Sequence, residues 1–432
     1  MRYQPIDSSF YINNRKKLKD KLSSKSIAVF HSNDIMPTNA DGTMRFRQNN
    51  DLFYLTGIDQ EETILVVCPD FPDPAMQEIL FVKKTNEKIA TWEGHKLTPE
   101  EATALSGIKN VQWVSSFDGL FNTLMALSKH VFLNTNEHLR ADVNVETRDA
   151  RFIKHCRERY PLHQYHRLAP VMHKLRSVKD KKEINQMAFA CGITEKGFRR
   201  VLSFVKPGVK EYEIEAEFIH EFLRNQSMGF AYQPIIASGA NACVLHYIEN
   251  NATCEKGDLI LFDVGAEYGN YNADMSRTIP VSGKFTKRQR KVYDAVLRVQ
   301  RQAITMLRPG VSIQEYHKEI GLIMESELKS LGLINDTDIR NQDPKWPAFK
   351  KYFMHGTSHH LGLDVHDVGT MYEPIQPGMV FTVEPGIYIR EENIGIRLEN
   401  NIVIQEKGNL DLMKNIPIEA EEIEELMNSD KK

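Results

Sequence analysis

The chain has 432 residues, a formal net charge of −3, and hydrophobic and charged fractions of 41% and 26%. That length exceeds what one core usually supports, so two domains are expected. The near-neutral balance provides no basic field, which argues against nucleic acid or anionic lipid as a partner. No segment approaches the roughly 18 apolar residues needed to cross a bilayer, and the first thirty residues lack the apolar centre of a signal peptide, so a cytoplasmic protein with no membrane partner is expected. Five scattered cysteines (Cys68, Cys156, Cys191, Cys243, Cys254) show no C-x-x-C spacing and read as reduced thiols.

Up to about residue 168, short apolar runs alternate with helical stretches. Strands are predicted at 26–30, 62–68, 78–82 and 129–133, which gives a first α/β domain. Composition shifts across His163-Gln-Tyr-His-Arg-Leu-Ala-Pro170, and a long helical pattern begins at Val178 and runs to about Phe204. The boundary is therefore set near 170, with domains 1–170 and 171–432.

The second domain repeats itself. Lys206-Pro-Gly-Val209 with Glu213 is matched by Arg308-Pro-Gly-Val311 with Glu315, each between two helical stretches. Later, Gly257, Asp263 and Gly265 recur at the same spacing as Gly378, Glu384 and Gly386, with largely apolar residues before each acid. A duplicated unit of helices followed by antiparallel strands is expected, with a pseudo-twofold site between the halves to which each gives a carboxylate from the same structural position.

Asp263 ends the run Leu259-Ile-Leu-Phe262, and Asp274 follows beyond Glu267-Tyr-Gly-Asn-Tyr271. A turn centred on Tyr268-Gly269 would set the two aspartates directly opposite each other, with Cβ atoms about 5 Å apart. Glu384 and Glu399 repeat the arrangement after a longer connection. Any one of these acids alone reads as a solvated strand residue; four beside apolar runs need compensation, and cations are the simplest form of it. One imidazole from His355-Gly-Thr-Ser-His359-His360-Leu-Gly-Leu-Asp-Val-His366 would complete the set. Four carboxylates and a neutral histidine balance two divalent ions, Mn²⁺ or Co²⁺ before a structural zinc. Two such ions about 3.5–4 Å apart share and acidify a hydroxide and polarise a carbonyl, which is machinery for amide hydrolysis.

At these residues the sequence resembles the pita-bread metallopeptidases, which include methionine aminopeptidase, prolidase and aminopeptidase P. The resemblance implies an α+β pita-bread domain after a creatinase-like amino-terminal domain, whose mark is Phe46-Arg-Gln-Asn-Asn-Asp-Leu-Phe-Tyr-Leu-Thr-Gly57. It implies that Asp263 and Asp274 bind one metal and His359 and Glu384 the other, that Asp274 and Glu399 bridge them, and that Glu384 shuttles a proton. Mn²⁺ is the first choice, with Co²⁺, Fe²⁺ or Zn²⁺ as alternatives. It also implies catalytic roles for His246, His355, His366 and Arg397, while Arg397 could instead hold Glu399, Tyr388 could be core or active-site tyrosine, and His360 reads as structural. Ser358 and the ending Asn415–Met427 look more like aminopeptidase P than prolidase. Asn400-Asn401 departs from the acidic residues common in the family and puts the tuning around Glu399 in question. The expected reaction is release of an N-terminal residue preceding proline, by a homo-oligomer (dimer or tetramer). The rivals are a prolidase, restricted to dipeptides, and a binding protein without activity.

Overall fold

The computed structural model describes residues 2–141, 143–369 and 372–429. Two units emerge: Pro5–Arg176, and the chain from Ser177 onward together with a short amino-terminal stretch ending at Gln4. The division falls after Arg176 rather than near 170. Arg176 pairs with Asp51 at 2.8 Å and the Tyr54 hydroxyl donates to the Leu175 carbonyl at 3.0 Å, which anchors the helix Ala169–Ser177 to the first unit through Arg176.

The first unit is built on a six-stranded mixed sheet. Its strands are β1 (Ser26–His31), β2 (Ile64–Val67), β3 (Glu78–Val82), β4 (Asn110–Trp113), β5 (His130–Leu133) and β6 (Gln164–Arg167), in the order β4-β3-β2-β1-β5-β6. β1, β2 and β3 pair antiparallel and the outer neighbours pair parallel. The central strands β1 and β2 are buried throughout and, apart from Ser26 and His31 at the ends of β1, apolar, as expected of strands covered on both faces. The edge strands β4 and β6, Asn-Val-Gln-Trp and Gln-Tyr-His-Arg, are half-buried or exposed and carry no apolar run that predicts a strand.

The second unit shows the duplication. Helix pairs Lys181–Phe204/Glu211–Arg224 and Lys287–Met306/Ile313–Ser330 are each joined through the Pro-Gly turns. Gly208 and Gly310 both take the left-handed conformation, at φ +95° and +87°, and so do Gly257 and Gly378, at +99° and +87°. Positive φ at matched positions is why glycine recurs there. The strands are β7 (Ile235–Ser238), β8 (Leu259–Val264), β9 (Glu267–Tyr268), β10 (Tyr271–Asn272) and β11 (Met275–Pro280) in one half. The other half has β12 (Val380–Val383), β13 (Gly386–Ile389), β14 (Ile394–Arg397), β15 (Asn400–Val403) and β16 (Leu410–Asp411).

The hairpin register differs from the expectation. The turn residues between β9 and β10 are Gly269 and Asn270, with φ +60° and +66°, the type I′ pattern that a two-residue hairpin favours. This moves the turn centre by one residue and the pairing by two, so Ser276 rather than Asp274 lies opposite Asp263. The aspartates share one face of the sheet as diagonal neighbours. In the other half, Val383 pairs with Asn400 and Gly386 with Arg397, a register that does bring Glu384 opposite Glu399. The second acids of the two halves therefore occupy different positions: Asp274 corresponds to Arg397, and Glu399 to Ser276.

Gly265 sits where the strands of the first half come closest, and a Cβ there would lie 1.8 Å from the Ala273 carbonyl oxygen. Gly265→Ala is expected to cost about 2–3 kcal/mol of stability by forcing the strands apart, read by chemical denaturation; a variant as stable as the parent would contradict this packing.

Candidate active site

The strand ends bring the acids together around one tyrosine. The Tyr232 hydroxyl lies 2.7 Å from Asp263 Oδ1 and 2.6 Å from Asp274 Oδ1. A phenol has one proton to donate, so both contacts can be favourable only if one carboxyl is protonated or a cation shares the pair. Tyr232 carries no marked motif, and the sequence reading passed over it.

His359 comes from the strand-like segment beside β12. Its backbone N–H donates to the Thr382 hydroxyl, and its Nδ1 lies 2.9 Å from the His360 carbonyl, which makes Nδ1 the protonated nitrogen. Nε2 faces Asp274 Oδ2 at 3.5 Å and Glu384 Oε1 at 3.6 Å; burial would lower the pKa of the ring, but the hydrogen bond to Asp274 and the charges of Glu384 and Asp274 raise it. Orientation of an imidazole by a backbone carbonyl is the usual support of a ligating histidine. Ligand atoms of Asp274, His359 and Glu399 all lie within 4.8 Å of one another, the one such group among the described residues; Asp263 and Glu384 flank it through Tyr232 and His359.

Glu399 is 1% exposed. Its Oε2 accepts from Ser276 at 2.8 Å, while its Oε1 is buried without a hydrogen-bond partner. Burial, with the charges of Asp274, Glu384 and Asp263 adding to it, holds this carboxyl well above the usual carboxylate range. Burial also raises Asp263, against the pull of Arg397, and brings Glu384 up to about 7. Burial would raise Asp274 too, but His359 and Tyr232 hold it below its ordinary value.

Arg397 is 4% exposed. It donates to Asp263 Oδ2 at 2.6 Å, to the Tyr388 hydroxyl at 2.8 Å and to the Ser276 hydroxyl at 2.8 Å. It therefore holds Asp263 directly and reaches Glu399 only through Ser276, rather than holding Glu399 itself. The Tyr388 ring packs in a core cluster with Tyr247 and Leu261, while its hydroxyl passes the network to His355 Nε2 at 2.8 Å. His355 Nδ1 meets the Gly356 carbonyl at 2.7 Å, so the ring is neutral, donates there and accepts from Tyr388. Burial, aided by the Arg397 charge, pushes its pKa down to about 3.

His246 and His366 are exposed. The His366 ring stands perpendicular to that of His359, with centroids 4.4 Å apart. His360 is buried against Phe381 and does not join the cluster. The departure at Asn400-Asn401 also has a structural use. Asn401 accepts from the Asp274 backbone N–H at 3.1 Å and donates to the Asp274 carbonyl at 2.6 Å. Asn400 accepts from the fully buried Arg277 at 2.8 Å, and Arg277 also donates to the Glu399 carbonyl at 2.6 Å.

Residues 185–406 match "Metallopeptidase family M24" and residues 11–132 match "Aminopeptidase P, N-terminal domain". The chain is 35% identical to the Xaa-Pro aminopeptidase of Escherichia coli (strain K12) over 429 residues, 96% of each chain. It belongs to metallopeptidase family M24. Solved relatives agree along the whole length. An aminopeptidase from Pseudomonas aeruginosa has TM-score 0.90 at 29% identity, covering 99% of both chains. An Escherichia coli aminopeptidase P variant in complex with substrate has TM-score 0.86 at 33% identity, covering 99% of this chain and 100% of that one. The pita-bread architecture, the amino-terminal domain and the enzyme class follow from this membership.

M24 membership implies divalent metal ions. The residues present fit them: one partnerless buried carboxylate oxygen, a tyrosine between two carboxylates, and an imidazole whose Nε2 faces two carboxylates. The raised carboxyls set the sign of a pH effect. A carboxyl whose folded pKa lies above its unfolded value binds more protons in the folded state, so stability falls as pH rises from about 4.5 towards 7. Metal-stripped protein is expected to melt several degrees lower at pH 7.5 than at pH 5, and divalent ions are expected to cancel the difference. Identical melting temperatures without metal would contradict the crowding of these acids.

Proposed function

We propose that this chain is a metal-dependent aminopeptidase that hydrolyses the bond between an N-terminal residue and a following proline, with Asp263, Asp274, His359, Glu384 and Glu399 holding two divalent ions. The observation that carries the reading is the convergence of Asp274, His359 and Glu399 around a buried carboxylate oxygen with no protein partner. Asp274 lies between Tyr232 and His359, which supports a shared role for it. The oxygen-rich set favours Mn²⁺, with Co²⁺, Fe²⁺ and Zn²⁺ as alternatives.

Divalent ions held there supply Lewis acidity towards a peptide carbonyl and acidify a water. The side chains do the rest. Glu384 combines partial exposure with a pKa near 7, which suits a group that takes a proton from attacking water and returns it. The return matters because the nitrogen of an Xaa-Pro bond carries no hydrogen and leaves only when protonated. His246 and His366, both exposed beside the cluster, are placed to donate hydrogen bonds to a carbonyl oxygen that becomes anionic. Arg397 and Ser276 hold Asp263 and Glu399 in position, and Tyr388 with His355 continues that network towards the pocket.

The five cysteines are free and buried, which supports a reducing cytoplasm, and none of the described helices is long and apolar enough to cross a membrane.

Metal-stripped protein given Mn²⁺ is expected to release Arg from Arg-Pro-Pro, read by mass spectrometry. Cleavage of Ala-Pro but not the tripeptide would make it a dipeptidase, and silence on both would leave a binding protein. Asp274→Ala is expected to bring activity below detection and to lose metal with the far-ultraviolet spectrum unchanged; parental turnover in that variant would remove Asp274 from the site.

A further inference from the structure

His366 has to be held by something. It is exposed and lies on the loop after His359, and such a loop places an imidazole well only if its backbone is pinned. The pin is an ion pair of unusual burial: Lys179 Nζ lies 2.7 Å from Asp367 Oδ2, with each side chain 1% exposed. Asp367 is the residue after His366.

The surrounding backbone is organised around this pair. The Asp367 N–H donates to the His360 carbonyl at 2.9 Å and closes the loop on itself. Gly362 is the glycine at the crossing: a Cβ there would lie 2.2 Å from Asp367 Oδ2 and 2.8 Å from Lys179 Cε. On the far side, Asn272 in β10 donates from its side chain to the Gly362 and Leu363 carbonyls at 3.0 and 2.9 Å. Lys179 is itself fixed, since its N–H donates to the Gly378 carbonyl at 2.9 Å, at the turn that leads into β12. Thus Lys179 joins the turn before Glu384's strand to the loop that carries His366.

We propose that the buried Lys179–Asp367 ion pair is a positioning device for catalysis, which sets the His366 imidazole across His359. The proposal rests on the aminopeptidase reading. A buried pair of this kind adds little net stability over an apolar pair of similar volume, so its geometric role is separable from folding. Displacing a catalytic group by about 1 Å costs on the order of a hundredfold in rate.

The test is a double-mutant cycle between Lys179→Met and His366→Ala, with kcat and KM measured on Arg-Pro-Pro. Lys179→Met is expected to lower kcat about 10- to 100-fold with KM within about threefold, and to cause no further loss when His366 is already alanine. Equal losses in both backgrounds, or a parental kcat, would overturn the proposal. If Lys179→Met does not fold because it strands the Asp367 charge, the apolar pair Lys179→Met/Asp367→Leu takes its place in the cycle. Histidine-selective NMR gives a readout that needs no turnover. The His366 ring resonance, assigned from its disappearance in His366→Ala, is expected to shift in the Lys179 variant as it loses its contact with His359, and an unmoved resonance would also overturn the proposal. An inert parent enzyme would sink the proposed activity alone, since the spectrum still judges where His366 sits.

Discussion

Four carboxylates gathered in one buried cluster repel one another, and the second unit is organised around that repulsion. Water cannot screen it, because Glu399 and Asp274 are buried and the other two acids are largely covered. The protein supplies only partial relief. Arg397 neutralises Asp263, the Tyr232 hydroxyl spans two acids and the Ser276 hydroxyl serves one oxygen of Glu399. The remaining charge is what divalent ions answer, which is why the same residues that burden the metal-free fold make the centre of a hydrolase.

The duplication explains how such a cluster is built. Matched strand ends deliver Asp263 and Glu384 from equivalent places, and the left-handed glycines at both sets of turns keep the halves alike. Exact symmetry would crowd the cluster further, and the second acids break it. Where one half has Asp274 the other has Arg397, which donates to Asp263, and where one has Glu399 the other has Ser276, whose hydroxyl donates to it. Each half thus supplies one second acid and one donor that supports an acid of the other half. The amide at 401 can do what a carboxylate there could not, since it donates to the Asp274 carbonyl.

Much of this was legible in the sequence because charge is costly to bury. Four acids at the ends of apolar runs need a reason to be there, and the repeated Gly–acid–Gly spacing fixed their pairing between halves. The hairpin register was misread although its signal was present: of Tyr268, Gly269 and Asn270, glycine and asparagine tolerate positive φ and tyrosine does not. Tyr232 and Ser276 were missed because a single hydroxyl residue has no pattern, and its role exists only once two distant strands meet. β6 was not foreseen, since Gln-Tyr-His-Arg at a sheet edge needs no apolar alternation. The true end of the first unit depends on the Arg176–Asp51 pair, a contact between residues far apart in the chain.

The central claim is that buried, partly protonated acids exchange their protons for cations. Calorimetric titration of Mn²⁺ into metal-stripped protein at pH 6, in buffers of different ionisation enthalpy, measures that exchange directly. The account predicts binding of two ions per chain with release of more than one proton; binding without proton release, or no binding, would contradict it.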